Sequence, residues 1–177
     1  MRRSRVEPSG VFRHPVPTFT RALSHPPVQR VVLDTNILVS SAYDEWSASW
    51  KILNDCIRGE LTAVMSPALR REYERILSQT VKIRGHAETV QMFLAAAELF
   101  TPQAIPAVVP DDPDDDKVIA TAVAGHAGAI ITNDRHLLDL DPYHDIRILR
   151  PVTFEYLRRD ERGDDWRDLA RMTGLGA

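Results

Sequence analysis

The feature that most constrains the fold is a set of short apolar runs, each separated from the next by residues with helical spacing. The runs are residues 31–33, 62–65, 129–132 and 146–149. Short apolar runs bounded by turn signals are typical of strands that are buried on both faces. Helical patterns are found at residues 46–58, 67–77, 86–99, 114–126 and 151–159. This alternation predicts an α/β fold, in which helices cover both faces of a mainly parallel sheet.

The composition of the chain changes at about residue 30, which suggests three parts. Residues 1–29 form an Arg/Pro-rich arm with little periodicity, residues 30–159 a single domain, and residues 160–177 a polar tail. The domain is an ordinary globular one, since 44% of the chain is hydrophobic and 27% is charged. No apolar run approaches the ~18 residues of a membrane span, and the arm lacks the apolar centre of a secretory signal. With Cys56 as the only cysteine, we expect a cytoplasmic protein without disulfides.

Charge is distributed very unevenly along the chain. The net charge is −3, but residues 1–30 hold six arginines against one glutamate and carry +5. The remaining residues, 16 basic and 24 acidic, therefore carry −8. A domain this acidic needs metal ions to neutralise its site if it is to bind a nucleic acid.

Two aspartates follow predicted strands at corresponding places. Asp34 comes directly after the first strand, and Asp134 follows the 129–132 strand with one residue between. Because parallel strands end at the same edge of a sheet, where ligands of open α/β folds bind, both carboxylates should lie at that edge. For either aspartate alone, a role in a turn or helix cap is the simpler interpretation.

Two further acids lie on predicted helices. At about 100° per residue, Glu72 falls beside Leu69 and Ile76 and borders the apolar face of its helix. Asp116 lies in the first turn of its helix, where a carboxylate complements the helix dipole. That explains one or two of the five aspartates in residues 111–116, whereas all five repel one another unless a cation is present. The simple alternative for Glu72 is a packed stem with a solvated head.

Together these acids predict a site for hard divalent cations, which prefer oxygen ligands. In hydrolysis by two metal ions about 4 Å apart, the ions activate water and stabilise the leaving oxygen. Such ions also reconcile an acidic pocket with a polyanionic substrate. The predicted set combines two strand ends with two helices: Asp34, Glu72, Asp116 and Asp134.

Four segments resemble the motifs of the PIN-domain nucleases, in the order that the family has them. Residues 31–40 (VVLDTNILVS) resemble the opening strand and turn, and Glu72 in SPALRREY matches the helix glutamate. Residues 112–122 (DPDDDKVIATA) resemble the third acidic motif, and IITND, followed by Leu137 and Leu138, resembles the fourth. The resemblance covers roughly residues 30–157. A lone DTN would be a weak signal, whereas four ordered motifs are fairly specific.

The resemblance implies a PIN-like α/β/α fold and a ribonuclease that uses one or two Mg²⁺ or Mn²⁺ ions and leaves 5′-phosphate and 3′-hydroxyl ends. The implied catalytic and metal-binding acids are Asp34, Glu72, Asp116 and Asp134. Asp114 is a further candidate metal ligand and Asp112 an outer one, so which aspartate of this motif faces the metal stays open. Supporting roles fall to Asn36, Thr132 and Asn133.

The resemblance also extends to partners. The family includes VapC-type toxins of toxin–antitoxin pairs, so it implies an RNA substrate, a small antitoxin and a homodimer. Arg70, Arg71 and Arg135 are either contacts for the RNA backbone or ordinary surface charges. The arm and the tail are absent from a minimal PIN domain and leave the partners open.

Two other functions fit parts of the sequence. A phosphatase of the haloacid-dehalogenase type also places an aspartate after the first strand, but its chemistry needs a second acid two residues later, where this chain has Asn36. A non-catalytic PIN module that binds RNA or protein would not require all four acids. Cleavage of RNA with Mn²⁺, and its loss with EDTA, would separate both alternatives from a nuclease.

Overall fold

The structure is a computed structural model that describes residues 30–80, 86–104, 107–109 and 114–162, with the backbone alone for residues 77–80 and 160–162. Its strands are β1 (Arg30–Leu33), β2 (Thr62–Met65), β3 (Glu98–Leu99), β4 (Ala129–Ile131) and β5 (Arg147–Leu149). Its helices are α1 (Thr35–Ser41), α2 (Ala48–Ile57), α3 (Pro67–Thr80), α4 (His86–Ala96), α5 (Asp116–Ala124), α6 (Arg135–Leu138) and α7 (Pro151–Arg162). The predicted arm, Asp112 and residues 163–177 of the predicted tail lie outside the described residues.

The strands form one sheet in the order β3-β2-β1-β4-β5, and every pairing is parallel. The predicted α/β fold with a parallel central sheet is therefore confirmed. The strands consist mainly of buried apolar side chains, and Val31, Val32, Ile130 and Ile131 have no exposed surface. Helices on both faces explain why the strand sequences are apolar throughout rather than alternating.

The direction of the strand order reverses between β1 and β4, which are neighbours in the sheet. From β1 the chain moves outward through β2 to β3, then returns across the sheet through α5 to β4. Right-handed crossovers place the helices of the outward path on one face and α5 on the other. The crevice beyond the carboxyl ends of β1 and β4 is therefore a topological switch point, where α/β proteins of this type bind ligands.

Three short elements differ from the sequence prediction. The helix predicted for residues 86–99 ends at Ala96, and Glu98–Leu99 instead pairs with β2 as an edge strand. The prediction was wrong there because both residues of this strand are exposed and give no apolar pattern. Helices α1 and α6 were not predicted: they have seven and four residues, and each begins directly after an aspartate at its N-cap position. The predicted cap of α3 is confirmed, since the Ser66 hydroxyl accepts a hydrogen bond from the Leu69 amide at 3.2 Å.

A buried ion cluster joins α2 to α7. Arg158 Nη1 lies 2.7 Å from Asp55 Oδ2 and 2.9 Å from Glu155 Oε1, and all three side chains are buried. Lys51 Nζ lies 2.7 Å from the other oxygen of Glu155. Arg58 binds the other oxygen of Asp55, so three cations and two carboxylates make up the cluster that holds the last described helix against the core.

None of the helices in the described part of the chain combines the length and the apolar character that a membrane span requires.

His86 is a buried titratable group at the start of α4. Its Nε2 lies 3.2 Å from the Leu38 carbonyl oxygen, and its ring lies 6.5 Å from that of Trp50. Burial lowers the pKa of His86 below its usual 6.5, and the bond to Leu38 offsets only part of this. The folded protein therefore holds His86 neutral more strongly than the unfolded chain does.

This histidine should make stability depend on pH below neutrality. The unfolded chain binds the proton more readily, so the free energy of unfolding should fall as the pH drops through about 6.5. His86→Gln keeps a donor for the Leu38 carbonyl but cannot titrate. Urea unfolding of both proteins from pH 7.5 to 5.5 should show a smaller loss of stability in the variant. Parallel curves would contradict the prediction.

Candidate active site

Asp34, Thr132 and Asp134 are joined by hydrogen bonds at the switch point. Asp34 caps α1 directly after β1, and its side chain is only 7% exposed. The Thr132 hydroxyl donates to Asp34 Oδ2 at 2.6 Å and accepts from the Asp134 amide at 2.8 Å. The parallel register pairs Leu33 with Ile131, which puts the residues that follow side by side. The predicted meeting of the two strand-end aspartates is thus present in the structure.

The side chains of Asn36, Asp134 and Asn133 at this edge differ in their hydrogen bonds. Asn36 Nδ2 lies 3.5 Å from Asp34 Oδ2, which fits the predicted orienting role at the limit of hydrogen-bond length. Asp134 also caps α6, since one of its oxygens accepts from the His136 amide at 2.8 Å. Asn133 is exposed, and among the described residues no hydrogen bond places its side chain in the site. Its supporting role stays a prediction.

Glu72 reaches the same edge from α3. Its Oε1 accepts a hydrogen bond of 2.8 Å from the hydroxyl of Thr35, the residue that follows Asp34. Its Oε2 lies 2.7 Å from Lys117 Nζ, on the second residue of α5. The next residue of α3, Tyr73, is fully buried and donates its hydroxyl to the Leu33 carbonyl at the end of β1. Helix α3 is thereby anchored to the strand that carries Asp34.

The acidic run before α5 contributes less directly. One oxygen of Asp116, Oδ1, accepts hydrogen bonds from the Val108 and Val109 amides, both at 2.9 Å, so this carboxylate secures the chain before the run. Asp114 is 92% exposed. Asp115, which the sequence reasoning did not single out, has one buried carboxylate oxygen. The metal-binding roles of Asp116 and Asp114 stay predictions.

The pKa of Asp34 reflects its burial and the nearby charges of Asp134 and Glu72. Burial raises the pKa of Asp34, and the hydrogen bonds from Thr132 and from the Asn36 backbone lower it only in part. The charges of Asp134 and Glu72 raise the pKa of Asp34 further. A carboxylate in this position is short of positive charge, which a bound cation would supply.

The donors in this space fit a divalent cation of the hard type. Carboxylate and hydroxyl oxygens are its preferred ligands, and Mg²⁺ usually takes one or two carboxylates while keeping several waters. In the described part of the chain, no three acidic, histidine or cysteine side chains are grouped closely enough to hold a metal on their own. An ion held here would therefore need other ligands, such as water, beside a pair of carboxylates such as Asp34 and Asp134.

Lys117, Thr35 and Tyr73 were missed by the sequence reasoning. Thr35 lies inside the DTN motif and Tyr73 directly follows Glu72, so their positions beside site residues were available signals. Lys117 directly follows the acidic run and is a cation expected to be drawn to it. What could not be foreseen is that it binds an acid on a different helix.

Fold and site together define a class: a parallel α/β protein with carboxylates converging at the switch point of its sheet. Comparison with family models then identifies it, since the model for the PIN domain matches residues 30–136. The chain belongs to the PIN-domain family, whose members are nucleases that generally use divalent metal ions. The resemblance found in the sequence is thus confirmed, and the phosphatase alternative is not.

The same fold is found in a solved structure. A chain in the crystal structure of VapBC2 from Rickettsia felis, bound to a DNA fragment from the promoter, superposes with a TM-score of 0.50 at 16% sequence identity. The match covers 68% of this chain and 98% of that one. No curated protein matches the sequence significantly.

Proposed function

We propose that this protein is a Mg²⁺- or Mn²⁺-dependent ribonuclease and the toxin of a toxin–antitoxin pair. The observation that carries the proposal is the buried carboxylate of Asp34, which faces the charges of Asp134 and Glu72 at the switch point. Membership of a nuclease family gives this acidic site its chemistry. The reaction is hydrolysis: water adds to phosphorus, and the bond from phosphorus to the 3′ oxygen breaks.

Asp34 and Asp134 would hold the metal, with Glu72, Asp116 and Asp114 as further candidate ligands. A bound divalent ion supplies positive charge for the phosphate and lowers the pKa of the attacking water. The chain's own residues set the geometry. Thr132 fixes one oxygen of Asp34, and the bonds of Glu72 to Thr35 and Lys117 hold that carboxylate beside it. Burial of Asp34 limits screening by solvent, so its charge acts strongly within the site.

Substrate binding must overcome the negative charge of the domain. Arg135 follows Asp134 directly and is 87% exposed, and Arg70 and Arg71 are exposed near the start of α3. These arginines and Lys117 are the candidate contacts for the RNA backbone. Phosphate contacts from such residues position a nucleic acid without reading its sequence. Accordingly, we propose RNA as the class of substrate and no particular target.

Purified full-length protein should cleave a single-stranded RNA oligonucleotide when Mn²⁺ or Mg²⁺ is added. EDTA should stop the reaction and excess Mn²⁺ should restore it. Without a cation, the carboxylates of the site repel the negatively charged phosphate. Product ends are read by mass spectrometry, with a 5′-phosphate expected. Single-stranded DNA of the same sequence tests the choice of substrate, and p-nitrophenyl phosphate tests for a phosphatase.

Three results would decide against the proposal. Cleavage that persists in EDTA would contradict the proposed metal dependence. Hydrolysis of p-nitrophenyl phosphate without RNA cleavage would favour a phosphatase. RNA that binds but stays intact with every metal would favour the non-catalytic PIN module. A catalytic role is preferred because Asp34, Glu72 and Asp134 are all retained and act on one another electrostatically.

The toxin role rests on the structural neighbour, which is a VapBC2 complex bound to promoter DNA. A small antitoxin that places a basic side chain in the acidic site would complement the −8 charge of residues 31–177. A short neighbouring reading frame with a DNA-binding motif would support this role. A homodimer and a cytoplasmic location belong to the same proposal, and light scattering after gel filtration measures the former.

A further inference from the structure

Lys117 is a partly enclosed cation in the middle of an acidic site. Its side chain is only 22% exposed, and its Nζ lies 2.7 Å from Glu72 Oε2. The second acidic partner, Asp114 in the turn before α5, lies 3.6 Å away and is 92% exposed. The pair with Glu72 is therefore the closer and more enclosed of the two. A lysine that served only the helix surface would point toward Asp114 and solvent.

Glu72 and Asp34 differ in how their charges are neutralised. Glu72 is 20% exposed, and both of its oxygens are engaged, one by the Thr35 hydroxyl and the other by the Lys117 ammonium. The side chains that donate hydrogen bonds to Asp34 in the described structure are instead the neutral Thr132 and Asn36. The positive charge of the site is thus concentrated on Glu72. The oxygen of Glu72 that Lys117 binds, Oε2, is also one that a metal ion bound to Glu72 could use.

We propose that Lys117 is the internal counter-ion of this site: its ammonium group holds Glu72 in the metal-free protein, and a divalent cation must displace it to bind there. Two cations at one enclosed carboxylate oxygen repel each other, and solvent screens that repulsion less than at an open surface. Metal binding and the Lys117–Glu72 ion pair therefore oppose each other. This inference rests on the proposed metal-dependent function and deepens it.

Lys117→Met tests the competition, because methionine keeps much of the side-chain length and removes the charge. Mn²⁺ is titrated into metal-free, full-length protein by calorimetry, without RNA. The variant should bind Mn²⁺ on the order of tenfold more tightly, within the usual range for coupling between two binding events. Lys117→Arg, which keeps the charge, should bind as the natural protein does.

Arg70→Met is the matched control for net charge. Arg70 lies on the same helix as Glu72 but pairs with the exposed Glu74, at 3.1 Å. Its loss changes the protein's charge by the same amount, and it should leave Mn²⁺ affinity unchanged within about twofold. A gain as large as that of Lys117→Met would mean that general charge, rather than the ion pair, sets affinity, and would overturn the inference.

Weaker Mn²⁺ binding by Lys117→Met would indicate a different role for Lys117. If Lys117 merely positions Glu72 as an outer partner of a metal ligand, its removal should weaken metal binding by roughly 10–100-fold. A weaker or unchanged affinity in Lys117→Met therefore overturns the competition. If neither protein binds Mn²⁺, this inference and the proposed metal dependence both fail. If Mn²⁺ affinity rises as expected but RNA is not cleaved, only the proposed ribonuclease fails.

A measurement on the natural protein does not depend on the folding of any variant. Reductive methylation followed by peptide mass spectrometry compares Lys117 with Lys51, which is paired with Glu155 away from the site. Saturating Mg²⁺ should increase labelling of Lys117 severalfold relative to Lys51, because its ammonium group is released from Glu72. Equal labelling with and without Mg²⁺, under conditions where Mg²⁺ binds, would overturn the inference.

Discussion

Asp34→Asn should abolish metal-dependent RNA cleavage while making the metal-free protein more stable at neutral pH. The substitution keeps the volume and an oxygen that can accept the Thr132 hydrogen bond, but it removes the charge at the centre of the site. Removal of a single electrostatic group from an active site commonly costs about 10²–10³-fold in rate. We expect at least that loss, measured as initial rates with saturating Mn²⁺.

The gain in stability follows from the sign of the pKa shift. Burial, with the charges of Asp134 and Glu72, raises the pKa of Asp34 above 3.8, so the folded protein binds this proton more tightly than the unfolded chain. The stabilisation linked to Asp34 is then complete below pH 3.8 and is lost as the pH rises through the raised pKa. At neutral pH the charged aspartate is destabilising, and asparagine is not.

Thermal unfolding at pH 7 without metal should therefore show a higher midpoint for Asp34→Asn. A gain of 1 kcal/mol corresponds to roughly 2–4 °C in a protein of this size. The difference should shrink toward pH 4, and saturating Mn²⁺ should stabilise the natural protein more than the variant. Asp145→Asn, at an exposed aspartate outside the site, is the charge-matched control and should leave activity and midpoint unchanged. Full activity in Asp34→Asn would contradict the proposed site.

The sequence was a sound guide to this site where chain direction alone decides position. Asp34 and Asp134 follow strands that are adjacent and parallel, so their meeting needs no knowledge of side-chain conformation. The buried strands were also predictable, because their side chains are apolar throughout. By contrast, β3 has two exposed residues at the sheet edge, and it owes its structure to pairing with β2 rather than to its own pattern.

The helix acids show where sequence reasoning ends. A first-turn aspartate can face the site or the preceding loop, and the turn of α5 that decides this depends on the path of residues 107–109. One oxygen of Asp116 binds that loop, which no periodicity encodes. The Lys117–Glu72 pair likewise joins two helices that are distant in the sequence. Such contacts depend on helix packing and on rotamers, so they had to be observed.

The ion cluster between α2 and α7 supports the second large prediction: Arg158→Met should destabilise the protein by about 3 kcal/mol, the lower end of the cost of breaking a buried ion pair, because each carboxylate keeps a second cation. Arg158 is buried between Asp55 and Glu155, and methionine would fill much of the space without neutralising either carboxylate. Lys51 would remain as a partner of Glu155, and Arg58 as a partner of Asp55, both at the exposed end of the cluster. Asp55 lies on the buried side and would lose its innermost partner.

Urea unfolding at pH 7 measures this cost, and the matched control is again Arg70→Met, the same substitution at an exposed pair. That pair should contribute roughly 0.2–1 kcal/mol, because solvent screens it and two long side chains must be ordered to form it. The double variant Asp55→Leu with Arg158→Met removes the buried carboxylate together with its innermost partner. It should be more stable than Arg158→Met alone, since a buried charge is most costly when its partner is missing. Equal losses for Arg158→Met and Arg70→Met would show that α7 is held by its apolar contacts, including Phe154, rather than by the buried charges.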